Sequence, residues 1–257
     1  MLDFAIETVR AAGHLLAARL AGPNPTREKG LRDLVTEADL ASQSLIVERL
    51  QARYPDHTIW GEEGERPPSL RGPVWIVDPL DGTTNYAHRI PIFGVALALA
   101  EDGAVRLGVV YDPLRDHLFA AERSRGAWLN GHRLHVSQTD TMAQAIINCD
   151  WGRSPQARSG AAQTTSILAD GVMTLRSFGS SVLAMCYVAA GWIDACFSFS
   201  LMPWDLVAPA LCIEEAGGRV TDLTGQPWDL TTGRAVCSNG RVHEALLAIV
   251  QRAGAQQ

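Results

Sequence analysis

The N-terminal part of the chain contains two amphipathic segments separated by a polar stretch. Apolar side chains recur at helical spacing in residues 2–20, so the pattern predicts a helix that ends before Pro23. Residues 27–33 are polar, and we expect them to form a mobile loop. A second amphipathic helix is predicted to open at residues 36–39 and to close at Pro55.

The middle of the chain has the pattern of short buried strands. Its apolar runs are nearly continuous and are separated by turn-forming residues. Asn130 and Gly131 lie between two such runs and are a hairpin signal. The pattern predicts short strands at residues 58–60 and 74–77, then an antiparallel meander at residues 92–100, 105–111, 117–121, 128–129 and 133–136, and one more strand at residues 146–149.

The C-terminal part alternates between helical and strand-like patterns, which is typical of an α/β arrangement. It begins with a polar stretch, residues 153–160, that we expect to be a surface excursion. The alternation predicts helices at residues 164–168, 181–190, 205–216 and 242–250, and strands at residues 173–178, 193–197 and 236–238. The change of pattern divides the chain into an α+β half, residues 1–150, and an α/β half, residues 151–257, within one compact unit.

Composition argues against several classes of protein. A net charge of −6 is opposite to that of a nucleic-acid-binding surface. The five cysteines are odd in number and form no Cys-x-x-Cys motif, which favours buried free thiols and a cytoplasmic location over a disulfide framework. The N-terminus has no basic segment before an apolar one, and no apolar run is long enough for a bilayer, so we expect neither a signal peptide nor a membrane partner.

One stretch concentrates the candidate chemistry. The buried run at residues 74–77 leads into Asp-Pro-Leu-Asp-Gly-Thr-Thr-Asn, residues 78–85. The proline after Asp78 cannot donate to a continuing ladder, so we expect the strand to end there and a tight turn to follow. Asp78 and Asp81 are three residues apart, and Gly82 allows close backbone approach. An ordinary turn explains the proline and the glycine, whereas two acids followed by hydroxyls suit a hard cation such as Mg²⁺. Spacing alone leaves both interpretations open.

Three further acids each have a local alternative. Thr36 and Asp39 have the spacing of a capping box, which would give Asp39 a purely local role. Glu62 belongs to Gly-Glu-Glu-Gly-Glu, and so many acids usually mark a solvated loop. Asp205 follows Trp204 at the predicted start of a helix, where aspartate commonly caps. For each acid the sequence leaves a local and a functional role open.

Four blocks of the sequence together resemble the inositol monophosphatase family of lithium-sensitive, Mg²⁺-dependent phosphatases. They occur in the expected order, at residues 33–39, 61–63, 78–85 and 204–218, and the resemblance spans roughly residues 28–240. It implies a layered αβαβα sandwich, with an antiparallel sheet in the N-terminal half and an α/β C-terminal half. It also implies a homodimer.

The resemblance further implies roles for individual residues. Two or three Mg²⁺ ions would be held by Glu62, Asp78, the Leu80 carbonyl, Asp81 and Asp205. Glu62 and Thr83 would orient and deprotonate the attacking water, and Asp39 would lie near a third, weaker metal position. The substrate would be contacted by Asp81, Gly82, Thr83, Gly179, Ser180, Ser181 and Asp205.

One position departs from the inositol-hydrolysing pattern. Those family members have a glutamate seven residues before the Trp-Asp aspartate, and here that position is Ser198. Serine is shorter and uncharged, so a polyol contact is lost or bridged by water. Ser198→Glu is therefore expected to raise selectivity for inositol 1-phosphate, unless Ser198 points into the core, where a glutamate would be buried unpaired.

The sequence thus predicts a Mg²⁺-dependent phosphomonoesterase that hydrolyses a small phosphorylated polyol or sugar with metal-activated water. Histidinol phosphate and fructose 1,6-bisphosphate are alternative substrates on the same scaffold. Two other classes stay open: a regulatory protein that acts by binding macromolecules, and an acid-rich Ca²⁺-binding module without catalysis.

Overall fold

The computed structural model describes residues 1–23, 25–65, 67 and 69–254. The helices of these residues are α1 (Leu2–Arg19), α2 (Glu37–Arg53), α3 (Thr83–Ala87), α4 (Pro155–Leu168), α5 (Ser181–Ala189), α6 (Pro203–Glu215) and α7 (His243–Gly254). The strands are β1 (Thr26–Gly30), β2 (Asp33–Thr36), β3 (Thr58–Gly61), β4 (Pro73–Asp81), β5 (Gly94–Glu101), β6 (Ala104–Asp112), β7 (His117–Glu122), β8 (Gly126–Leu129), β9 (His132–Arg133), β10 (Ile146–Asp150), β11 (Thr174–Arg176), β12 (Ala195–Ser198), β13 (Arg219–Thr221) and β14 (Ala235–Ser238).

The larger sheet has seven strands in the order β3-β4-β5-β6-β7-β8-β9. Its first two strands are parallel, and every later pair is antiparallel. The predicted meander is therefore confirmed. Asn130 and Gly131 connect β8 to β9 with φ values of 49° and 81°, the left-handed conformation that tight hairpin turns require.

The smaller sheet has five strands in the order β11-β10-β12-β14-β13. Strand β10 is parallel to both β11 and β12, whereas β14 is antiparallel to β12 and β13. Asp150 and Ser198, the last residues of β10 and β12, are partners in this register. The carboxyl ends of these two parallel strands therefore lie side by side.

Helices and sheets alternate in five layers. Helices α1 and α2 cover one face of the larger sheet, where Val9 and Ile46 belong to the same buried cluster as Trp75. Helices α5 and α6 lie between the two sheets, and α4 and α7 cover the outer face of the smaller sheet. The predicted αβαβα sandwich is confirmed by this arrangement.

The central helix layer, α5 and α6, comes from the C-terminal half of the sequence but packs against the sheets of both halves. Helix α6 contacts β5 and β6 of the larger sheet and β13 of the smaller one. One hydrophobic cluster consequently contains residues from both sheets. The division near residue 150 stays an interpretation of the sequence pattern.

Two segments predicted to be irregular are regular. The predicted mobile loop at residues 27–33 is wrong, because β1 and β2 pair there as an antiparallel hairpin held by ladder hydrogen bonds rather than by apolar burial. The predicted excursion at residues 153–160 is also wrong, because α4 begins at Pro155. The Ser154 hydroxyl accepts a hydrogen bond from the Ala157 N–H at 3.1 Å, and a serine cap followed by proline is a helix-start signal.

Strand β4 continues through the proline that was expected to end it, so the predicted stop at Asp78 is wrong. Asp78 is the partner of Ala96 and Asp81 is the partner of Gly94, three steps on β4 against two on β5. The extra residue is a β-bulge, which accommodates a residue without an N–H group. Residues three apart on a regular strand point to opposite faces, and the bulge therefore brings both acids to the same side.

All five cysteines are buried and free, as predicted. In the part of the chain that the structure describes, no helix is both long and apolar enough to cross a bilayer.

Candidate active site

A cleft of about 400 Å³ opens where the ends of β4 and β10 meet helices α3 and α6. Nine of the eleven predicted site residues line it: Glu62, Asp78, Leu80, Asp81, Gly82, Thr83, Gly179, Ser181 and Asp205. The other two, Asp39 and Ser180, contact lining residues through hydrogen bonds to Thr83 and Asp81. The fold thus brings the whole predicted set to one place.

Three carboxylates form the centre of the cleft. One oxygen of each of Asp78, Asp81 and Asp205 lies within 4.8 Å of the others. The first two acids come from the bulged end of β4, and the third comes from α6, more than a hundred residues later. Only the tertiary fold can therefore assemble this group.

The bulge is held by local hydrogen bonds. The Leu80 N–H donates to the Asp78 carboxylate at 3.1 Å, and the Ser42 hydroxyl donates to the Pro79 carbonyl at 2.7 Å. Leu80 is itself fully buried, so its side chain anchors the bulge in the core beneath α1 and α2. These contacts fix the two acids before any ligand binds.

Gly82 allows the chain to turn from β4 into α3. Its φ is 86°, and an added Cβ would lie 3.0 Å from the Ile92 carbonyl oxygen and 3.2 Å from that of Gly179. A side chain here would meet both unfavourable backbone geometry and fixed backbone atoms.

Gly82→Ala is expected to destabilise the protein by about 1–3 kcal/mol and to displace Thr83. Turnover should therefore fall by more than the loss of folded protein accounts for. Gly103→Ala is the matched control, because Gly103 has φ 82° with no atom within 4 Å of the added Cβ. Thermal unfolding and phosphate release of the two variants measure the difference. Equal effects of the two substitutions would contradict the close-packing argument.

Glu62 follows β3 and is held by cations. Its backbone N–H donates to the Val77 carbonyl at 3.2 Å, and its carboxylate accepts from Lys29 Nζ at 2.9 Å. Lys29 also pairs with Glu63, and Arg153 lies 4.0 Å from Glu62. Burial raises the pKa of Glu62, and the charge and hydrogen bond of Lys29 oppose that rise.

Asp39 has the capping role that its spacing suggested, and it also contacts Thr83. Its carboxylate accepts a hydrogen bond from the Thr36 N–H at 2.8 Å, and the Thr36 hydroxyl accepts from the Asp39 N–H at 3.3 Å, which completes a capping box. The second carboxylate oxygen lies 3.1 Å from the Thr83 hydroxyl. The same hydroxyl is 3.1 Å from the Leu80 carbonyl, so it can donate to either acceptor.

Helix α5 supplies the opposite wall. The Ser180 hydroxyl donates to the Asp81 carboxylate, which also accepts from the Val182 N–H at 3.1 Å. Asn85 positions this wall by donating from one amide nitrogen to the carbonyls of Ile92 and Phe178, each at 2.8 Å. The segment that precedes α5 is thus joined to the end of β4.

Asp205 is not the N-cap that its local alternative suggested, because α6 begins two residues earlier at Pro203. Its carboxylate instead reaches back to accept from the Met202 N–H at 2.7 Å, as a third helical residue does in a capping box. One local hydrogen bond leaves the remaining lone pairs of the carboxylate available to the cleft.

The acids are electrostatically unfavourable without a counterion. Burial, reinforced by the neighbouring acids, raises the pKa of Asp78 and of Asp205 well above the ordinary range. Burial raises the pKa of Asp81 to about 7, although the Ser180 hydrogen bond opposes the rise. Two unit charges about 5 Å apart repel by about 3 kcal/mol at an effective dielectric of about 20.

The donor set fits a hard divalent cation. It consists of the three carboxylates, Glu62 and the carbonyl of Leu80, all of them oxygen ligands. Mg²⁺ prefers oxygen ligands and retains positions for water and phosphate. A cation of this kind would offset both the repulsion among the acids and the cost of burying their charges.

Several cleft residues were not found by sequence reasoning. Asp150 lines the cleft at the end of β10, and an acid at the carboxyl end of a buried strand was the signal that could have found it. The lining of the cleft also contains Arg32, Arg153 and Arg158, the last with its guanidinium carbon 5.7 Å from the Trp151 ring centre. Most of them lie in segments for which sequence patterning predicted irregular structure.

Comparison with known families settles the resemblance. A profile of the inositol monophosphatase family matches residues 1–255. The chain belongs to the inositol monophosphatase family. The resemblance inferred from the four sequence blocks is confirmed, and membership supports a phosphomonoesterase.

Relatives within the family have different names. The chain is 38% identical over 252 residues to a protein of Escherichia coli named Nus factor SuhB, covering 96% of this chain and 94% of that one. It is 33% identical to a fructose-1,6-bisphosphatase/inositol-1-monophosphatase of Thermotoga maritima, covering 97% and 95%. The solved structure of a Thermotoga maritima IMPase superposes with a TM-score of 0.92 at 32% identity, covering 99% and 98%.

Proposed function

We propose that the chain is a Mg²⁺-dependent phosphomonoesterase that releases phosphate from a small phosphorylated polyol or sugar by attack of water. The observation that carries the proposal is the group Asp78, Asp81 and Asp205, three carboxylates within 4.8 Å of one another whose pKa values are raised, so that a bound cation would stabilise their charged forms. The adjacent Thr83–Asp39 pair supplies an oriented hydroxyl next to it.

The residues divide the work of hydrolysis among them. Asp78, Asp81, Asp205, Glu62 and the Leu80 carbonyl would hold two or three Mg²⁺ ions. When bound, Mg²⁺ supplies charge neutralisation and acidifies water. Glu62 and Thr83 would orient the attacking water; the Glu62 carboxylate would accept its proton, and the Thr83 hydroxyl, which donates to Asp39, would accept a hydrogen bond from it. The phosphate lies against the backbone of Gly82 and Thr83, and its alcohol part faces Gly179, Ser180 and Ser181.

A panel of phosphate esters, assayed with and without Mg²⁺, tests the proposal. Inositol 1-phosphate, histidinol phosphate, fructose 1,6-bisphosphate and simple sugar phosphates should release phosphate only when Mg²⁺ is present. Because Ser198 offers no carboxylate, inositol 1-phosphate should be hydrolysed no better than several other esters. Release without Mg²⁺, or with no ester at all, would contradict the proposed activity, and strong selectivity for inositol 1-phosphate would contradict the prediction about Ser198.

A second candidate function is regulation through binding of macromolecules, favoured by the 38% identity to a protein named as a Nus factor. The acidic net charge of −6 argues for a protein partner rather than for direct contact with nucleic acid. A variant that lacks activity but retains the fold separates the two functions. If such a variant replaces the related Nus factor in a strain that lacks it, the regulatory role is independent of catalysis.

Three further properties belong to the proposal because the family resemblance implies them. They are inhibition by Li⁺ at a weak Mg²⁺ position, a homodimeric state and a cytoplasmic location. Phosphate release in the presence of LiCl tests the first, light scattering coupled to size-exclusion chromatography tests the second, and fractionation of cells tests the third.

A further inference from the structure

Asp150 is a cleft residue that the metal group does not use. It ends β10, whose carboxyl end opens into the cleft beside that of β12. Ligands of open α/β sheets bind beyond the carboxyl ends of parallel strands. Its carboxylate is not one of the three that lie within 4.8 Å of one another, although its charge helps to raise the pKa of Asp81. Asp150 therefore lies beside the three-carboxylate group, where β10 ends in the cleft.

The Asp150 carboxylate is held in place before substrate binds. The side-chain amide nitrogen of Asn148 donates to it at 3.2 Å, and the side-chain amide oxygen of Asn148 accepts from the Phe178 N–H at 3.1 Å. The Ser181 hydroxyl also hydrogen-bonds to it. Asn148 is fully buried, so it joins the carboxylate to the segment that leads into α5. A polar group with such support is preorganised for recognition.

Charge decides which part of a phosphate ester this carboxylate can meet. A carboxylate repels a phosphate anion unless a cation lies between them. Burial raises the pKa of Asp150, but the hydrogen bonds from Ser181 and Asn148 favour its charged form. The part of the substrate that suits it is the alcohol, where hydroxyl or ammonium groups are hydrogen-bond donors.

The neighbouring Ser198 does not offer an equivalent group. Its side chain is buried, at 2% exposure, and its hydroxyl is within 3.1 Å of the Ser200 carbonyl and 3.2 Å of the Ser200 N–H. These backbone contacts satisfy the hydroxyl locally. Of the two register partners Asp150 and Ser198, only Asp150 therefore offers a carboxylate at the ends of β10 and β12.

We propose that the Asp150 carboxylate accepts a hydrogen bond from a donor group on the alcohol part of the substrate and thereby determines specificity. The proposal rests on the phosphomonoesterase function and adds to it a residue that selects the alcohol. Asn148 and Ser181 act as positioning residues for this carboxylate.

Selectivity is the first measurement. Asp150→Asn keeps an oxygen for Asn148 and Ser181 but removes the charge, and Asp150→Ala removes the group. The reference substrate is p-nitrophenyl phosphate, which has no donor on its alcohol. The kcat/KM for glycerol phosphate and for inositol 1-phosphate is divided by the kcat/KM for this reference. The ratio should fall roughly ten- to a hundredfold in the alanine variant and less in the asparagine variant. Phosphoethanolamine distinguishes an ammonium donor from a hydroxyl donor. Asp170→Asn, on the exposed surface, is the matched control.

The position of the carboxylate is the second measurement. Ser198, the register partner of Asp150, is only 2% exposed, so a glutamate at position 198 would be buried. The double variant Asp150→Ser/Ser198→Glu should therefore not recover the ratio lost by Asp150→Ala. Circular dichroism and thermal unfolding establish that each variant is folded. Unchanged ratios in folded Asp150→Asn and Asp150→Ala proteins would overturn the proposal.

A binding measurement separates this proposal from the proposed activity. Calorimetric titration of glycerol or inositol, in the presence of Mg²⁺ and inorganic phosphate, reports recognition of the alcohol without turnover. Weaker binding to Asp150→Ala, together with no hydrolysis by the wild-type protein, would retain Asp150 as a recognition residue and reject the activity. If the wild-type protein and Asp150→Ala hydrolyse esters with equal selectivity and bind the alcohol equally well, the activity is retained and the role of Asp150 is rejected.

Discussion

Asp81→Asn is expected to lower kcat/KM by about a hundred- to a thousandfold while leaving the protein folded. Asp81 belongs to the three-carboxylate group and lines the cleft, so an amide would remove a charged group from the proposed metal ligands. The amide oxygen can still accept the Val182 N–H bond, which preserves the contact between β4 and α5. Removing one of several repelling acids should make the metal-free protein more stable.

Phosphate release and thermal unfolding of the same preparation test this prediction. Asp140→Asn provides the control, because Asp140 is an exposed aspartate outside the cleft and its change should alter neither quantity. Near-normal turnover by a folded Asp81→Asn protein would remove Asp81 from the proposed metal ligands. Lost turnover with an unfolded chain would instead show that Asp81 is needed for the fold.

Removal of Mg²⁺ is expected to abolish hydrolysis and to destabilise the protein most at alkaline pH. Burial raises the pKa of Asp81 from 3.8 to about 7. Between about pH 4 and pH 7, the metal-free folded protein therefore holds a proton that the unfolded chain has released. The unfolded state binds fewer protons in this window, so stability falls as pH rises, and the part of the stability that comes from protonated Asp81 is lost above about pH 7.

Mg²⁺ reverses this loss because it replaces the proton as the counterion of the acids. A ligand at about 100 times its Kd adds about 2.7 kcal/mol of stability, which corresponds to a Tm increase of about 5–10 °C for a domain of this size. Calorimetry with chelator and with Mg²⁺ should show a larger increase at pH 8 than at pH 5, where protons compete. A Tm independent of Mg²⁺, or an increase that is larger at pH 5, would contradict the electrostatic account.

Local signals in the sequence were sufficient where the physical cause is itself local. The capping box of Thr36 and Asp39 has the predicted form because its hydrogen bonds join residues three apart. The Asn130-Gly131 hairpin was predictable because few other residues adopt its left-handed conformation without strain. Apolar runs located most strands of both sheets, since burial on two faces requires such runs.

Prediction failed where stability comes from contacts that patterning does not record. The β1–β2 hairpin is exposed along the whole of β1 and is paired through its backbone, so no hydrophobic period marks it. Helix α4 buries small residues such as Ala157 and Ala161, whose low hydrophobicity concealed its inner face. The bulge in β4 was taken for the end of a strand, because a proline inside a ladder is tolerated only at such an irregularity.

The sequence by itself determined that two acids, a glycine and two hydroxyls come directly after one buried apolar run, because this chemistry lies within residues 78–84. Only the tertiary structure decided which distant groups meet them. Asp205 arrives from α6 and Ser180 from the N-cap of α5, since those helices pack between the two sheets. Asp150 enters the same cleft because β10 lies parallel to β12. These strands are distant in sequence, and the apolar core that they share offsets the entropy lost when the loop between them is closed.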